Sequence, residues 1–196
     1  MHTISSISNG KEVIVNKALV KTVFVASFII MTALGAYVRI PLPFTPVPIT
    51  LQTFFVLLCG AMLGRKLGVF AQLSYVALGA FGAPLFQGYG AGLSHLLGPT
   101  GGYLIGFIAA SFLVGTLLEN KPGSSRFFRI LFAMSCGLFA IYACGIAWLK
   151  MGYGVSFTKA VHIGFMPFVP GAVIKLIAAS WVYSKIKART DILIRG

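Results

Sequence analysis

A helical pass through a bilayer needs about 20 mainly apolar residues, and this 196-residue chain offers such runs six times. They lie at about 18–38, 49–64, 67–82, 100–118, 128–148 and 168–186. Hydrocarbon offers no partner to a bare N–H or C=O, so each run must close its own backbone bonds as a helix. The pattern predicts an all-α membrane protein, one six-helix bundle over residues 18–186. The second and third runs are short and parted only by Arg65 and Lys66. They can be tilted, irregular or partly re-entrant. A charged fraction of 10% and a mean hydropathy of +0.92 exclude a soluble domain.

The net charge of +13 suggests nucleic acid until its placement is read. Of 16 Lys and Arg, 12 fall in the termini and alternate loops: Lys11, Lys17, Lys21, Arg65, Lys66, Lys121, Arg126, Arg129, Lys185, Lys187, Arg189 and Arg195. The positive-inside rule then places both termini in the cytoplasm. Residues 1–17 read as a polar N-terminal tail, with no cleaved leader, and 187–196 as a basic C-terminal tail. The basic excess is a topology signal and a contact for anionic headgroups of the bilayer, with no nucleic-acid partner implied.

Three acids, Glu12, Glu119 and Asp191, are all on that same predicted side. No run carries a carboxylate, which argues against a proton relay or an acidic cation filter. No Ser/His/acid or Cys/His set can be assembled with a buried orienting carboxylate, so the chain reads as no enzyme. Cys59, Cys136 and Cys144 lie inside apolar runs and give neither a disulfide framework nor zinc spacing. The string GAMLGRKLG at 60–68 lacks the Gly-Lys-Ser/Thr ending of a phosphate loop. No cofactor or metal is implied, and energy for uphill transport must come from another polypeptide.

Three segments carry the binding chemistry. The first is RIPLPFTPVPITLQT, residues 39–53, with Pro41, Pro43, Pro46 and Pro48 between two runs. Proline fixes φ and removes a donor, so this connection is stiff. It suits a preorganised cover over a ligand or, more simply, a rigid helix stop. The second is APLFQGYGAGLSHLLGPTGGY, residues 83–103, where Gln87, Ser94, His95, Thr100 and Tyr103 add neutral polar groups to a glycine-rich backbone. Beyond Pro99, the free N–H groups of a helix start favour an anion or a carbonyl oxygen. A flexible surface loop is the plainer alternative. The third is Lys175, an intramembrane cation one turn into the last run with no acid to pair with. It marks an anion site or snorkels to the interface.

Two small-residue stripes recur every four residues. Gly102, Gly106 and Ala110 suit internal close packing. Ala18, Thr22 and Ala26 suit either internal packing or the docking of another membrane subunit.

Together these strings resemble the BioY family, the biotin-specific substrate-binding (S) components of energy-coupling-factor (ECF) transporters. The matching segments are RIPLPFTPVPITLQT, then GAPLF with its glycine-rich loop and GPTGGYLIGF, then PFVPG ahead of a lysine, in that order over about residues 20–185. The resemblance implies biotin uptake across the bacterial cytoplasmic membrane, with the vitamin held in the outer half of the bundle. The partners it implies are a transmembrane coupling subunit and two cytoplasmic ATPases, and it assigns Ala18, Thr22 and Ala26 to docking. Under it, Phe44 and Val47 give apolar cover to the ligand. Gln52, Gln87, Thr100 and Tyr103 offer hydrogen bonds, Lys175 sets the electrostatics, and Arg39 is a second carboxylate partner or an interface anchor. One position departs from the pattern: the family usually shows Asp directly after PFxPG, and this chain has Ala172. The urea N–H groups then need another acceptor, such as Gln52, Gln87 or a loop carbonyl, or the ligand is a biotin-like precursor. A facilitator working without ATPases is the alternative function.

Overall fold

The computed structural model describes residues 3–8, 11–119 and 127–190. Its elements are β1 (Thr3–Ser8), β2 (Lys11–Asn16), α1 (Lys17–Tyr37), β3 (Arg39–Ile40), β4 (Ile49–Thr50) and α2 (Gln52–Ala80). They are followed by α3 (Leu93–Leu96), α4 (Gly101–Glu119), α5 (Phe127–Tyr153), α6 (Phe157–Gly164) and α7 (Val169–Thr190). Of the cations expected on the cytoplasmic side, Lys121, Arg126 and Arg195 lie outside the described residues, as does Asp191.

Helix boundaries follow local chemistry. Asn16 caps α1 by accepting the Ala18 N–H at 2.9 Å, satisfying one of the donors a helix start leaves free. Pro170 sits in the first turn of α7, where a missing N–H costs no helical bond. The run expected to end at 186 continues as helix to Thr190. Several short elements had no expectation behind them: the β1–β2 hairpin within the polar N-terminal stretch, β3 and β4, α3, and α6, started by Ser156 accepting the Lys159 N–H at 3.3 Å.

α2 holds the second and third runs in one 29-residue stretch, but it is not straight. Gly64 takes φ 74° and ψ −178°, a conformation essentially reserved for glycine. There the helix doubles back, so that the Gln52 side-chain amide donates to the Tyr75 hydroxyl at 2.7 Å. A straight helix would separate these residues by about 34 Å at ~1.5 Å rise per residue. The two arms, 52–63 and 65–80, thus correspond to the expected runs, with the break at Gly64 rather than at the Arg65–Lys66 pair. Among the described residues, five helical stretches are long and apolar enough to cross a membrane, with α2 counted once and α6 joined to α7.

α4 packs against α2 and α5, α1 against α2, and α7 against both α2 and α5. Gly102, Gly106 and Ala110 are buried, as internal packing requires. A Cβ at Gly106 would come within 2.8 Å of Ile141 Cα on α5. Lipid is as apolar as leucine, so such close fit, rather than exclusion of water, holds these helices together. One apolar cluster fills one end of the bundle around Phe28, Leu57 and Met134. A second, richer in aromatic residues, fills the other around Tyr75, Phe86, Tyr103, Tyr142 and Phe168. The turn of α2 and the last residue of α4 meet at the first end, where Arg65 and Glu119 approach to 3.7 Å. The loops that carry the binding segments meet at the second.

Candidate functional site

The proline segment is a small antiparallel hairpin. Arg39 pairs with Thr50 and Ile40 with Ile49, and the prolines fill the connection between them. The hairpin is tied down twice. The Thr45 hydroxyl donates to the Ile163 carbonyl at the end of α6 at 2.7 Å, and itself accepts the Val47 N–H at 3.2 Å. Lys175 of α7 donates to the Thr50 carbonyl at 2.9 Å. Both ties hold the segment against the far helices α6 and α7.

The glycine-rich loop is equally anchored. Tyr37 donates to the Pro84 carbonyl, Tyr75 to that of Leu85 at 3.1 Å, and Tyr153 to that of Leu97 at 3.2 Å. The Trp148 indole N–H donates to the Gly98 carbonyl at 3.0 Å. Four long side chains from α1, α2 and α5 therefore hold carbonyls that a free loop would leave to water.

Between hairpin and loop lies a narrow cavity of about 50 Å³, smaller than the roughly 300–1,000 Å³ of small-molecule sites, so a ligand of vitamin size must push its walls apart to enter. Val47, Pro48 and Thr50 line it from the hairpin and Gln52 and Thr53 from α2. Phe86, Gln87 and His95 contribute from the glycine-rich segment, with Thr100, Tyr103, Leu104 and Phe107 at and inside the start of α4. Ile141 and Tyr142 of α5, with Phe168 and Lys175, complete it. Six of the seven residues expected from sequence thus meet on one cavity: Val47, Gln52, Gln87, Thr100, Tyr103 and Lys175. Phe44 does not: it is 62% exposed at the hairpin's turn. Four prolines make that segment stiff but do not say which way a side chain between them points. Arg39 lies outside the lining too, with its guanidinium over Gly88.

The polar lining is largely prearranged. Gln52 is buried, accepts from the Thr50 hydroxyl at 3.2 Å and donates to Tyr75, which passes the chain on to Leu85. Tyr103 donates its hydroxyl to the Gly164 carbonyl at 2.7 Å, leaving its oxygen able to accept. Lys175 gives one of its three donors to Thr50 and keeps two. Among the described residues, no carboxylate lines the cavity. Ala172 is 3% exposed and packs into the aromatic cluster.

Two lining groups went unassigned in the sequence reading. Thr53 Oγ1 and His95 Nε2 are buried polar atoms with no hydrogen-bond partner, the kind of vacancy that asks for an explanation. Thr53 had a signal, its position beside Gln52 in the LQT string. His95 was visible only as one of several neutral groups in its loop. Burial lowers its pKa from the ordinary histidine value, which keeps the imidazole uncharged at neutral pH. The Tyr142 ring, edge-on to Phe165 at 5.1 Å and Tyr103 at 6.3 Å, forms an aromatic wall that nothing in the uniformly apolar α5 run announced.

Ala18, Thr22 and Ala26 are all exposed on the outer side of α1. Thr22 returns its hydroxyl to the Ala18 carbonyl at 3.0 Å, so the stripe offers a smooth, satisfied surface.

Comparison with known proteins gives a consistent result. A family model described as the BioY family matches residues 8–191. A protein of Thermotoga maritima named biotin transporter BioY is 42% identical over 82% of this chain and 91% of its own. One of Rhizobium etli with the same name is 39% identical over 83% and 88%. A crystal structure of the S-component for biotin from an ECF-type ABC transporter matches with a TM-score of 0.83 at 25% identity, covering 93% of this chain and 95% of the other.

Proposed function

This chain belongs to the BioY family, and from that premise we propose that it captures biotin outside the cytoplasmic membrane as the S component of an ECF transporter. A membrane coupling subunit and two cytoplasmic ATPases complete the transporter and supply the energy. The observation that carries the reading is the cavity itself: one cation, neutral polar groups, aromatic walls and a doubly tied cover. Biotin has matching parts, a single carboxylate, an apolar chain and ring, and a neutral urea.

Lys175 supplies the charge that draws the anionic ligand, with Val47 as apolar cover. Gln87, Thr100 and Tyr103 supply neutral hydrogen bonds, while Gln52 braces the hairpin and keeps part of its amide for the ligand. Each arm of α2 makes its own pass, giving six passes with both termini in the cytoplasm. Arg65 and Lys66 at the turn of α2 support that orientation. The exposed stripe Ala18, Thr22 and Ala26 is the surface on which the coupling subunit seats a helix.

The test is uptake of labelled biotin by a bacterial host stripped of its own biotin transporter. Uptake that needs this chain, the coupling subunit and both ATPases supports the proposal. Equal uptake with this chain alone would make it a self-sufficient facilitator. No uptake with every subunit present would refute biotin transport.

A further inference from the structure

Biotin's urea carries two N–H donors, and a donor buried without an acceptor is costly. No described carboxylate lines the cavity, so the acceptors on its walls are neutral, among them the oxygens of Gln52, Gln87, Thr100 and Tyr103, and one ring nitrogen. His95 is one of the lining residues, and its Nε2 is a buried nitrogen with no hydrogen-bond partner.

The ring is held where it is. It stacks on Phe86 with centroids 5.0 Å apart and planes 20° apart. On another side lies Gly90, where any Cβ would collide with the imidazole. Glycine at that place is what lets the ring lie flat in its slot. An immobile ring with an unpartnered buried nitrogen is a preorganised ligand contact.

We infer that His95 Nε2 accepts a hydrogen bond from a urea N–H of bound biotin, and that capture weakens on acidification because protonation removes this acceptor. The inference rests on the biotin reading above. It requires the tautomer with hydrogen on Nδ1, which leaves the Nε2 lone pair for the ligand. The sign follows from the chemistry. The neutral ring binds and the charged ring does not, so affinity is complete at neutral pH and falls as pH drops through the histidine pKa. Burial places that pKa below its ordinary value, so the loss belongs to the mildly acidic range. The other titratable or charged groups facing the cavity or the loop are Tyr103 of α4, Tyr142 of α5, Lys175 of α7 and Arg39 over Gly88. Biotin's own carboxylate begins to protonate toward about pH 5, and does so alike with every variant, so the part of the pH response that a His95 variant loses is the histidine's.

The experiment is calorimetric titration of the purified chain with biotin at pH 7.5 and 5.0. It uses the wild type, His95→Phe, which keeps the stack, and His95→Asn, which keeps a neutral acceptor. The wild type is expected to bind about tenfold more weakly at the lower pH. His95→Phe is expected to bind about tenfold more weakly than wild type at pH 7.5, the size of one hydrogen bond, and to keep on acidification only the loss that the ligand's carboxylate causes. His95→Asn should recover part of the affinity and lose the same part of the pH response. Wild-type affinity in both variants at pH 7.5, or an undiminished pH response in them, overturns the inference. Thermal unfolding of each variant identifies any that has failed to fold, and the other then decides. A wild type that binds no biotin at either pH overturns the biotin reading itself. Firm wild-type binding with an unaltered variant pair overturns only the role of His95.

Discussion

Lys175 and Thr50 are joined by one hydrogen bond, 2.9 Å from ammonium to carbonyl, and that bond fastens the last helix to the hairpin covering the cavity. The same ammonium lines the cavity and has two donors left. A ligand carboxylate arriving there meets a cation that already grips the cover. On the proposed function, capture and closure draw on a single side chain, and a charge-assisted bond of this kind is about twice as strong as a neutral one.

The second tie is neutral. Thr45→Val keeps the shape but deletes the hydroxyl that reaches the Ile163 carbonyl and that accepts the Val47 N–H within the hairpin. Labelled biotin is expected to leave this variant about fivefold faster, the kinetic equivalent of about 1 kcal/mol. An unchanged dissociation rate would show that the hairpin does not gate release.

Gly64 is where α2 turns back, at a backbone conformation a side chain resists. Gly64→Ala should destabilise the folded protein by about 1–3 kcal/mol, read as a lower unfolding midpoint in detergent. Unaltered stability would mean that the turn adapts without glycine.

How much was legible beforehand varies with the physics involved. Run length and hydropathy predicted the helices because lipid leaves the backbone no other solution. Lys175 was legible because an unpaired cation in an apolar run demands a partner. The turn of α2 was placed one or two residues late, since charge marked Arg65 and Lys66 while the backbone conformation belonged to Gly64. Phe44 points outward here, because local stiffness does not specify side-chain direction. Tyr142 and α6 were invisible for a different reason. Inside a membrane, apolar and aromatic residues face lipid and ligand alike, so hydropathy cannot separate the two faces of α5.

The exposed α1 stripe makes a prediction that separates binding from transport. Ala26→Trp adds bulk on the outer side of the helix, away from the cavity. Biotin affinity should stay within about twofold, while uptake with the coupling subunit present should fall about tenfold or more as close helix contact is lost. Full uptake would move the docking surface elsewhere.

The central claim, that this cavity takes biotin through Lys175, is tested most directly by calorimetric titration of the purified chain and of Lys175→Ala with biotin. The account predicts binding near nanomolar, about −12 kcal/mol, weakened about ten- to a hundredfold in the variant, as loss of a charged hydrogen bond implies. Equal affinity in both proteins, or no binding by a folded wild type, would contradict it.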